Sequence, residues 1–543
     1  MNATDPKAEP SLKRLPPLSL DVLAEALTEG GLEARIEPAV ASEPADTSQP
    51  RACGTAVAGM SIDSRTVQPG NLFVCKGAAF RPKFLSMAVE RGAAAYLSQD
   101  DPDLLEKLAQ AAPGTPRIVV SDVRRAMALV APAIYDHPER SLDVVGITGT
   151  KGKSTVAYML RSIMYAAEID TSILGSIETD DGAQHFESHN TTPEAPDLWR
   201  HLRNTVDAGR RHMIMEVSSQ GLKYDRVLGL TFDIACFLNI GRDHISSVEH
   251  PDFEDYFASK LRIFEQCDTA VVNLATDHAD RVIEAARGAA RTVTFLAAHG
   301  DGHVALGPSS PAADFVASNV SSTASGLAFT VCEQTGDRAE ERRIELGMAG
   351  LFNVDNALAA ITMARLLGVG YDAIARGLAH VRVPGRMELV SSRDGRVLAI
   401  VDYAHNELSF ETLFSSVKAE YPGRRVIAVF GAPGGKAQER REALPRVAGK
   451  YADLIVYTEE DPAHERVEDI CAELAANTPA GVAHEVICDR EQAIRRAVED
   501  ARSHDEPSVL LLLAKGDETR QHRGDEYPEV KSDLAIAREL LQQ

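Results

Sequence analysis

Gly146-Ile147-Thr148-Gly149-Thr150-Lys151-Gly152-Lys153-Ser154-Thr155 follows the apolar pair Val144-Val145 and leads into Val156, Met159, Leu160, Ile163 and Met164 at helical spacing. A strand, a glycine-bearing loop and a helix in that order make a clamp for phosphate. Glycines let backbone N–H groups turn inward onto anionic oxygens, and the helix N-terminus adds partial positive charge. Lys153 is placed to reach the terminal phosphates of a nucleotide, and the Ser154 hydroxyl to face a magnesium ion. The register is unusual. The common spacing puts a glycine where this chain has Ile147, and the glycines here stand at 146 and 149. The loop is a variant, and which variant decides what the nucleotide is used for.

At 543 residues the chain is too long for one core, and roughly 150 residues per domain suggests three or four. Hydrophobic content of 44% with 25% charged residues is that of an ordinary globular protein. A net charge of −23 argues against a nucleic-acid partner and makes clustered cations notable, because they must be placed to hold anions locally. No apolar run approaches the roughly 18 uncharged residues of a membrane span. Asp5, Lys7, Glu9, Lys13 and Arg14 make a mixed-charge start without the apolar core of a signal peptide. Seven cysteines, at 53, 75, 236, 267, 332, 471 and 488, form no Cys-x-x-Cys pair and read as reduced thiols. The expectation is a cytoplasmic monomer without membrane insertion.

Three α/β units are expected, at 1–139, 140–383 and 384–543. The first fifteen or so residues read as a loose tail and 37–56 as a loop. Residues 63–99 hold Asp63-Ser64-Arg65, a turn at Pro69-Gly70, a strand at 72–75 and a helical run near 85–94. The middle unit reads as a P-loop-type parallel sheet with strands at 144–148, 213–217, 233–240 and 270–273, and a small β excursion within 300–345. The last unit reads as Rossmann-like, with strands at 397–402, 425–430, 454–458 and 509–513 between helical runs such as 439–450 and 493–501. Its strands end in polar or glycine-rich clusters at 402–405, 431–435, 459–462 and 515–518. Open α/β sheets bind ligands beyond the carboxyl ends of their strands, so these clusters are expected to meet at one crevice.

Glu216 ends a strand after the phosphate-loop helix, where an acidic residue completes a magnesium shell. Asn239, Asp243 and His244 follow the next strand, and His244 reads either as structural or as a second metal ligand. Lys260 sits in a helical pattern with Leu261 and Phe264 inward and, taken alone, reads as a solvated helix lysine. Arg386 lies at the second boundary, as a linker ion pair or as a contact to a γ-phosphate from the neighbouring unit.

Taken in order, Gly-Thr-Lys-Gly-Lys-Ser (149–154), Glu-Val-Ser-Ser (216–219), Asn-Ile-Gly-Arg-Asp-His (239–244), Phe-Asn-Val-Asp-Asn-Ala (352–357), Pro-Gly-Arg-Met-Glu (384–388) and Asp-Tyr-Ala-His-Asn (402–406) resemble the Mur ligase family. These are ATP-dependent amide-forming enzymes of peptidoglycan synthesis. Asp63-Ser64-Arg65, Asn190-Thr191-Thr192-Pro193 and Lys515-Gly516-Asp517-Glu518 resemble the branch that adds a third residue to UDP-N-acetylmuramoyl-L-alanyl-D-glutamate. The resemblance implies that the first unit binds the UDP-sugar, the middle unit ATP and the last the amino acid. It implies that Gly149, Thr150, Lys151, Gly152, Lys153, Ser154 and Thr155 cradle phosphates, with Asn356 on adenine, Asp402 on ribose and Arg386 on the phosphates. Ser154 and Glu216 would bind one Mg2+, and His244 with Lys260 as a carbamate the second. Ser64 and the 76–80 segment would hold the uridine nucleotide, and Thr191, Thr192, Ser218 and Arg226 the muramoyl-dipeptide. Lys153, His244, Lys260 and Arg386 would form the catalytic set.

Members of the family that add meso-diaminopimelate carry Asp-Asn-Pro-Arg where this chain has Glu460-Asp461-Pro462-Ala463. Ala463 offers no guanidinium, and Glu459, Glu460 and Asp461 favour an ammonium. L-Lysine is the expected amine, ahead of L-ornithine or meso-diaminopimelate. Lys436, Arg440 or Arg441 is expected to take the α-carboxylate, and Glu518 the α-amino group. Gln220, Tyr224 and Ala514 depart from the family pattern and affect local contacts. A folylpolyglutamate synthase-like ligase shares the phosphate loop but not the 63–77 module.

Overall fold

The computed structural model describes residues 15–37, 54–77, 79–188, 190–243, 245–246, 249–298, 312–323, 326–335 and 338–542. The tail up to residue 14, most of the 37–56 loop, Cys53 and His244 lie outside the described residues.

Short runs of β-branched and apolar residues, each closed by glycine or a polar cap, build three main sheets with helices between them. The first orders its strands Ala34–Glu37, Arg117–Val120, Ala95–Gln99, Asn71–Val74 and Gly59–Ser61. All run parallel except the edge strand Ala34–Glu37. The helix expected to reach residue 94 spans Pro82–Glu90, because Gly92 at φ +99° turns the chain into the strand at Ala95.

The second sheet has eleven strands, with Asp143–Thr148 between His212–Glu216 and Phe232–Phe237. Its seven inner strands, from Thr171–Leu174 to Phe315–Thr323, are parallel. The β excursion is an antiparallel meander, Phe315–Thr323, Gly326–Thr335 and Arg338–Leu346, that lengthens this sheet at one edge. Chain order reverses around Asp143–Thr148, so the phosphate loop leaves the sheet at a topological switch point. The strand expected to reach residue 240 stops at Phe237. From there Leu238 and Asn239 turn to bond the phosphate loop, Leu238 N to the Thr148 carbonyl and Thr150 N to the Asn239 carbonyl, both at 3.0 Å.

The third sheet orders Glu388–Ser391, Val397–Asp402, Ser508–Leu513, Arg425–Phe430, Leu454–Tyr457 and His484–Val486, parallel except at the first edge. Helices Glu407–Glu420, Arg440–Ala448, Val467–Ala476, Arg490–Ser503 and Asp533–Leu541 connect and flank it. Polar contacts join the units. Lys76 Nζ donates to Glu194 Oε2 at 2.5 Å, and the Arg124 guanidinium lies 4.4 Å from the Tyr224 ring centre. Asn406 Nδ2 donates to Asp243 Oδ2 at 3.1 Å. Among the described residues no helix is long and apolar enough to cross a membrane, and six cysteines are free thiols.

Candidate active site

The helix Lys153–Ala166 starts from Gly152, which sits at φ +88°. A methyl there would meet Asn356 Oδ1 at 2.4 Å, so the loop packs directly on helix Asn353–Leu366, which carries the residue expected at adenine. Asn239 clamps the loop from the other side: its Oδ1 accepts from Lys151 N at 2.9 Å and its Nδ2 donates to the Lys151 carbonyl at 3.0 Å. Thr150 Oγ1 lies 3.1 Å from the Tyr256 hydroxyl and accepts from Gly241 N at 3.0 Å. The loop is therefore held open by side chains from three elements before any ligand arrives.

Two lysines share one acceptor inside it. Lys153 Nζ donates to the Gly149 carbonyl at 3.0 Å, and Lys260 Nζ donates to the same oxygen at 2.9 Å. Lys260 is almost wholly buried. Burial first, and the Lys153 charge second, hold its amine well below the ordinary lysine range. Lys153 and Lys151 are also lowered, chiefly by burial. Lys151 is partly restored by Asp243, whose Oδ2 is 3.1 Å from its Nζ. The helical pattern around Lys260 resolves differently from the sequence expectation. The face turned inward on helix Phe253–Leu261 carries Tyr256, Phe257 and Lys260, while Phe264 is buried from a following 3-10 turn and Leu261 is half-buried.

Ser154 and Glu216 meet across the end of the sheet through Ser176. Ser154 Oγ is 3.0 Å from Ser176 Oγ, and Glu216 Oε1 accepts from Ser176 N at 2.9 Å and Ser176 Oγ at 3.2 Å. Sequence reasoning missed Ser176; the Gly175-Ser176 pair closing strand Thr171–Leu174 was the available signal. Gly175 leaves the room, since a methyl there would lie 2.4 Å from Glu216 Oε1. Among the described residues no three His, Cys, Asp or Glu side chains form a metal cluster. A hydroxyl beside one carboxylate is a hard-oxygen set that fits magnesium, an ion that keeps phosphate and water in its shell.

Beyond Glu216, Thr192 Oγ1 accepts from Ser218 N at 2.9 Å and Arg226 Nη1 donates to the Thr192 carbonyl at 2.9 Å. Arg226 also pairs with Glu194 at 3.1 Å, and Glu194 reaches Lys76 of the first unit. Thr192, Ser218, Arg226 and Lys76 are thus linked through Glu194, while Ser64 is buried in the turn at 63–66. Ser219 Oγ lies 2.9 Å from His250 Nε2, and His250 Nδ1 lies 2.6 Å from Asp255 Oδ2, fastening the loop after Asp243 to helix Ser219–Lys223.

Opposite the phosphate loop, Arg386 stacks 4.6 Å from the Tyr403 ring centre. Asp402 accepts from Met387 N at 2.9 Å and Ala404 N at 2.7 Å, and burial raises its carboxyl above the usual range. Burial pushes His405 down to about 3, so its ring is neutral.

The polar strand ends of the third sheet meet as expected. Lys515 Nζ contacts Asp461 at 2.9 Å and Glu518 at 2.6 Å, and Gly434 N donates to the Asp461 carbonyl at 2.9 Å. The acidic trio is not three free carboxylates, however. Glu459 is paired with Arg523 and Asp461 with Lys515. Glu460 Oε2 is buried with no hydrogen-bond partner among the described residues, and burial raises its carboxyl to about 7. The buried Arg441 guanidinium is engaged by Glu465, Glu473 and the Pro433 carbonyl, and its Nε has no partner among the described residues. Lys436 is exposed on the loop above, and Arg440 Nε lacks a partner among the described residues.

Fold and site together define a three-domain α/β enzyme in which a phosphate loop faces a nucleotide-fold unit across a crevice. Residues 147–364 match the Mur ligase middle domain, and 385–516 match the Mur ligase, glutamate ligase domain. A UDP-N-acetylmuramyl-tripeptide synthetase of Lactobacillus delbrueckii subsp. bulgaricus is 38% identical over 499 residues, spanning 90% of this chain and 94% of that one. A UDP-N-acetylmuramoyl-L-alanyl-D-glutamate–L-lysine ligase of Streptococcus pyogenes serotype M3 is 36% identical over 487 residues, spanning 89% and 92%. The solved UDP-N-acetylmuramoyl-L-alanyl-D-glutamate–2,6-diaminopimelate ligase superposes with a TM-score of 0.62 at 24% identity, over 92% of this chain and 97% of that chain, a likeness of fold. The chain belongs to the Mur ligase family, the ATP-dependent ligases of peptidoglycan-precursor synthesis.

Proposed function

We propose that this enzyme joins L-lysine to UDP-N-acetylmuramoyl-L-alanyl-D-glutamate in the cytoplasm, acting as a monomer with ATP and Mg2+. The observation that carries the choice of amine is Glu460, a buried carboxylate with an unpartnered oxygen three residues before Ala463. A side-chain ammonium satisfies that oxygen, whereas a second carboxylate meets like charge.

The chemistry follows from the poor electrophilicity of a carboxylate. The D-glutamate carboxylate attacks the γ-phosphorus of ATP, giving an acyl phosphate and ADP. The lysine amine then attacks the acyl carbon, and phosphate leaves the tetrahedral intermediate. Lys153, at the start of the loop helix, and Arg386, across the crevice, neutralise charge on the transferring phosphoryl group. Ser154 and Glu216, with His244 and a carbamylated Lys260, would hold magnesium, which supplies further charge neutralisation when bound. A Lys260 amine kept neutral by burial and by Lys153 is the form that adds CO2. Thr191, Thr192, Ser218 and Arg226 hold the dipeptide end, Ser64 the uridine end, Asn356 the adenine and Asp402 the ribose. Glu460 and Asp461 face the incoming amine, Glu518 takes its α-amino group, and Lys436 or Arg440 its α-carboxylate. Closure of the last unit excludes the water that would hydrolyse the acyl phosphate.

Orthophosphate release tests the reading. It is expected to require ATP, the UDP-dipeptide and L-lysine together, with L-ornithine slower and meso-diaminopimelate slowest. Faster turnover with meso-diaminopimelate than with lysine overturns the choice of amine. Release without the UDP-dipeptide overturns the ligase assignment, and dependence on a folate in its place supports the rival. Gly152→Ala is expected to raise the KM for ATP by about tenfold or more. It combines a side chain at positive φ with a clash on Asn356. An unchanged KM shows that the loop does not carry the nucleotide.

A further inference from the structure

Arg523 meets the strand-end cluster at 459–463 from a segment that carries none of the family motifs. Its backbone runs beside Ala463: the two form a parallel bridge, with Ala463 N donating to the His522 carbonyl at 3.1 Å and Gly524 N to the Ala463 carbonyl at 2.6 Å. Backbones paired in this way lie about 5 Å apart, a gap that an arginine side chain spans. Arg523 is therefore the backbone neighbour of Ala463, and its side chain is long enough to bring to that position the guanidinium that residue 463 lacks.

That guanidinium is masked. Arg523 Nε donates to Glu459 Oε2 at 3.2 Å and its Nη2 to Glu459 Oε1, a two-point clamp. Glu459 is only 7% exposed, while half of the Arg523 side chain is exposed. The glutamate is fixed from behind as well. Its N–H donates to the Cys488 carbonyl at 3.3 Å, and its carbonyl accepts from the buried Arg490 at 3.0 Å. With its Nε–Nη2 edge engaged and its charge cancelled by Glu459, the fork offers a second carboxylate only its outer Nη edge and no net positive charge. Lys515 is likewise held between Asp461 and Glu518, so the neighbouring cation is compensated too.

We propose that the Glu459–Arg523 pair is a specificity determinant: Glu459 engages and neutralises the guanidinium carried by the backbone neighbour of Ala463 and keeps it from the Ala463 position, so the crevice takes a diamino monocarboxylic acid and rejects a diamino dicarboxylic acid. Glu459 acts here as a positioning residue, through Arg523. The proposal deepens the ligase reading above and rests on it.

The test compares kcat/KM for meso-diaminopimelate and for L-lysine in the full-length enzyme. Glu459→Gln is expected to raise the diaminopimelate-to-lysine ratio about tenfold or more, the scale of one freed charge-assisted contact. Arg523→Ala is expected to keep the wild-type ratio, and Glu459→Gln with Arg523→Ala to return to it. Because a ratio is unaffected by the folded fraction, a loss of stability alone does not move it. Glu459→Ser provides the same unmasking if the glutamine variant does not fold. An unmoved ratio in whichever Glu459 variant folds, or a gain that survives in the double variant, overturns the role of the pair. A wild-type preference for meso-diaminopimelate overturns the lysine reading instead, and is seen before any variant is made.

Discussion

Lys260→Ala is expected to lower kcat by roughly two to three orders of magnitude, the scale of losing one preorganised charge-stabilising group. The side chain is buried beside the phosphate loop, and its Nζ shares the Gly149 carbonyl with Lys153. Two ammonium groups on one oxygen is a costly arrangement, and the cost falls on the more deeply placed amine. A neutral amine resolves it, and on the proposed reading addition of CO2 would turn that amine into an anion facing Lys153. The intact protein is then expected to weigh one CO2 more than its sequence, with the added mass on the peptide containing Lys260. Activity is expected to fall in buffer stripped of CO2 and to return when bicarbonate is restored. Full activity in Lys260→Ala, or activity indifferent to CO2 removal, overturns the carbamate role of this residue.

Glu460→Gln is expected to separate stability from function. The folded carboxyl titrates near 7, against the ordinary value of 4.5. The folded state thus holds a proton that the unfolded chain has already lost between those two pH values. Stability falls as pH rises through that window and is flat above it. At about 1.4 kcal/mol per pH unit, the liability is about 3 kcal/mol at pH 8. Glutamine removes the charge, so the variant is expected to be more stable than wild type at pH 8 and similar to it at pH 5, read by denaturant unfolding. Its use of lysine is expected to drop about tenfold or more, since the ammonium loses its carboxylate partner. In the wild type, kcat/KM for lysine is expected to climb with pH through about 7, and Glu460→Gln to lose that limb. A variant that is both unstabilised and fully active shows that Glu460 neither titrates there nor meets the amine.

The phosphate loop and Glu216 were legible in the sequence because backbone geometry demands them: a glycine at positive φ and a carboxylate closing a strand leave local marks. The βα alternation of 397–513 was equally plain, since buried parallel strands are continuous apolar runs. What escaped depends on strand order. Ser176 joins Ser154 and Glu216 from a strand two places from the loop strand, a neighbourhood that no local pattern records. The pairing of Glu459 with Arg523, and of Asp461 with Lys515, spans 64 and 54 residues. Composition showed an acidic cluster there, and only the sheet showed which of its charges were already cancelled. Lys260 read locally as a solvated helix lysine, and only the family resemblance brought it to the site, for a related reason. It shares its helix face with Tyr256 one turn earlier, and that face turns toward the loop instead of solvent.

Arg490 ties the far end of the chain to the strand end that carries Glu459. Its buried guanidinium bonds the Glu459 carbonyl at 3.0 Å, the Leu513 carbonyl at 2.7 Å and Asp533 at 2.6 Å. Asp533 opens helix Asp533–Leu541. A chain clipped just before that helix keeps every residue that meets a substrate, yet leaves a positive charge stranded beneath the crevice, at a cost of about 3–5 kcal/mol. The final helix is therefore a keystone: its loss removes the Asp533 partner of Arg490 together with the core residues Ile536, Ala537, Leu540 and Leu541.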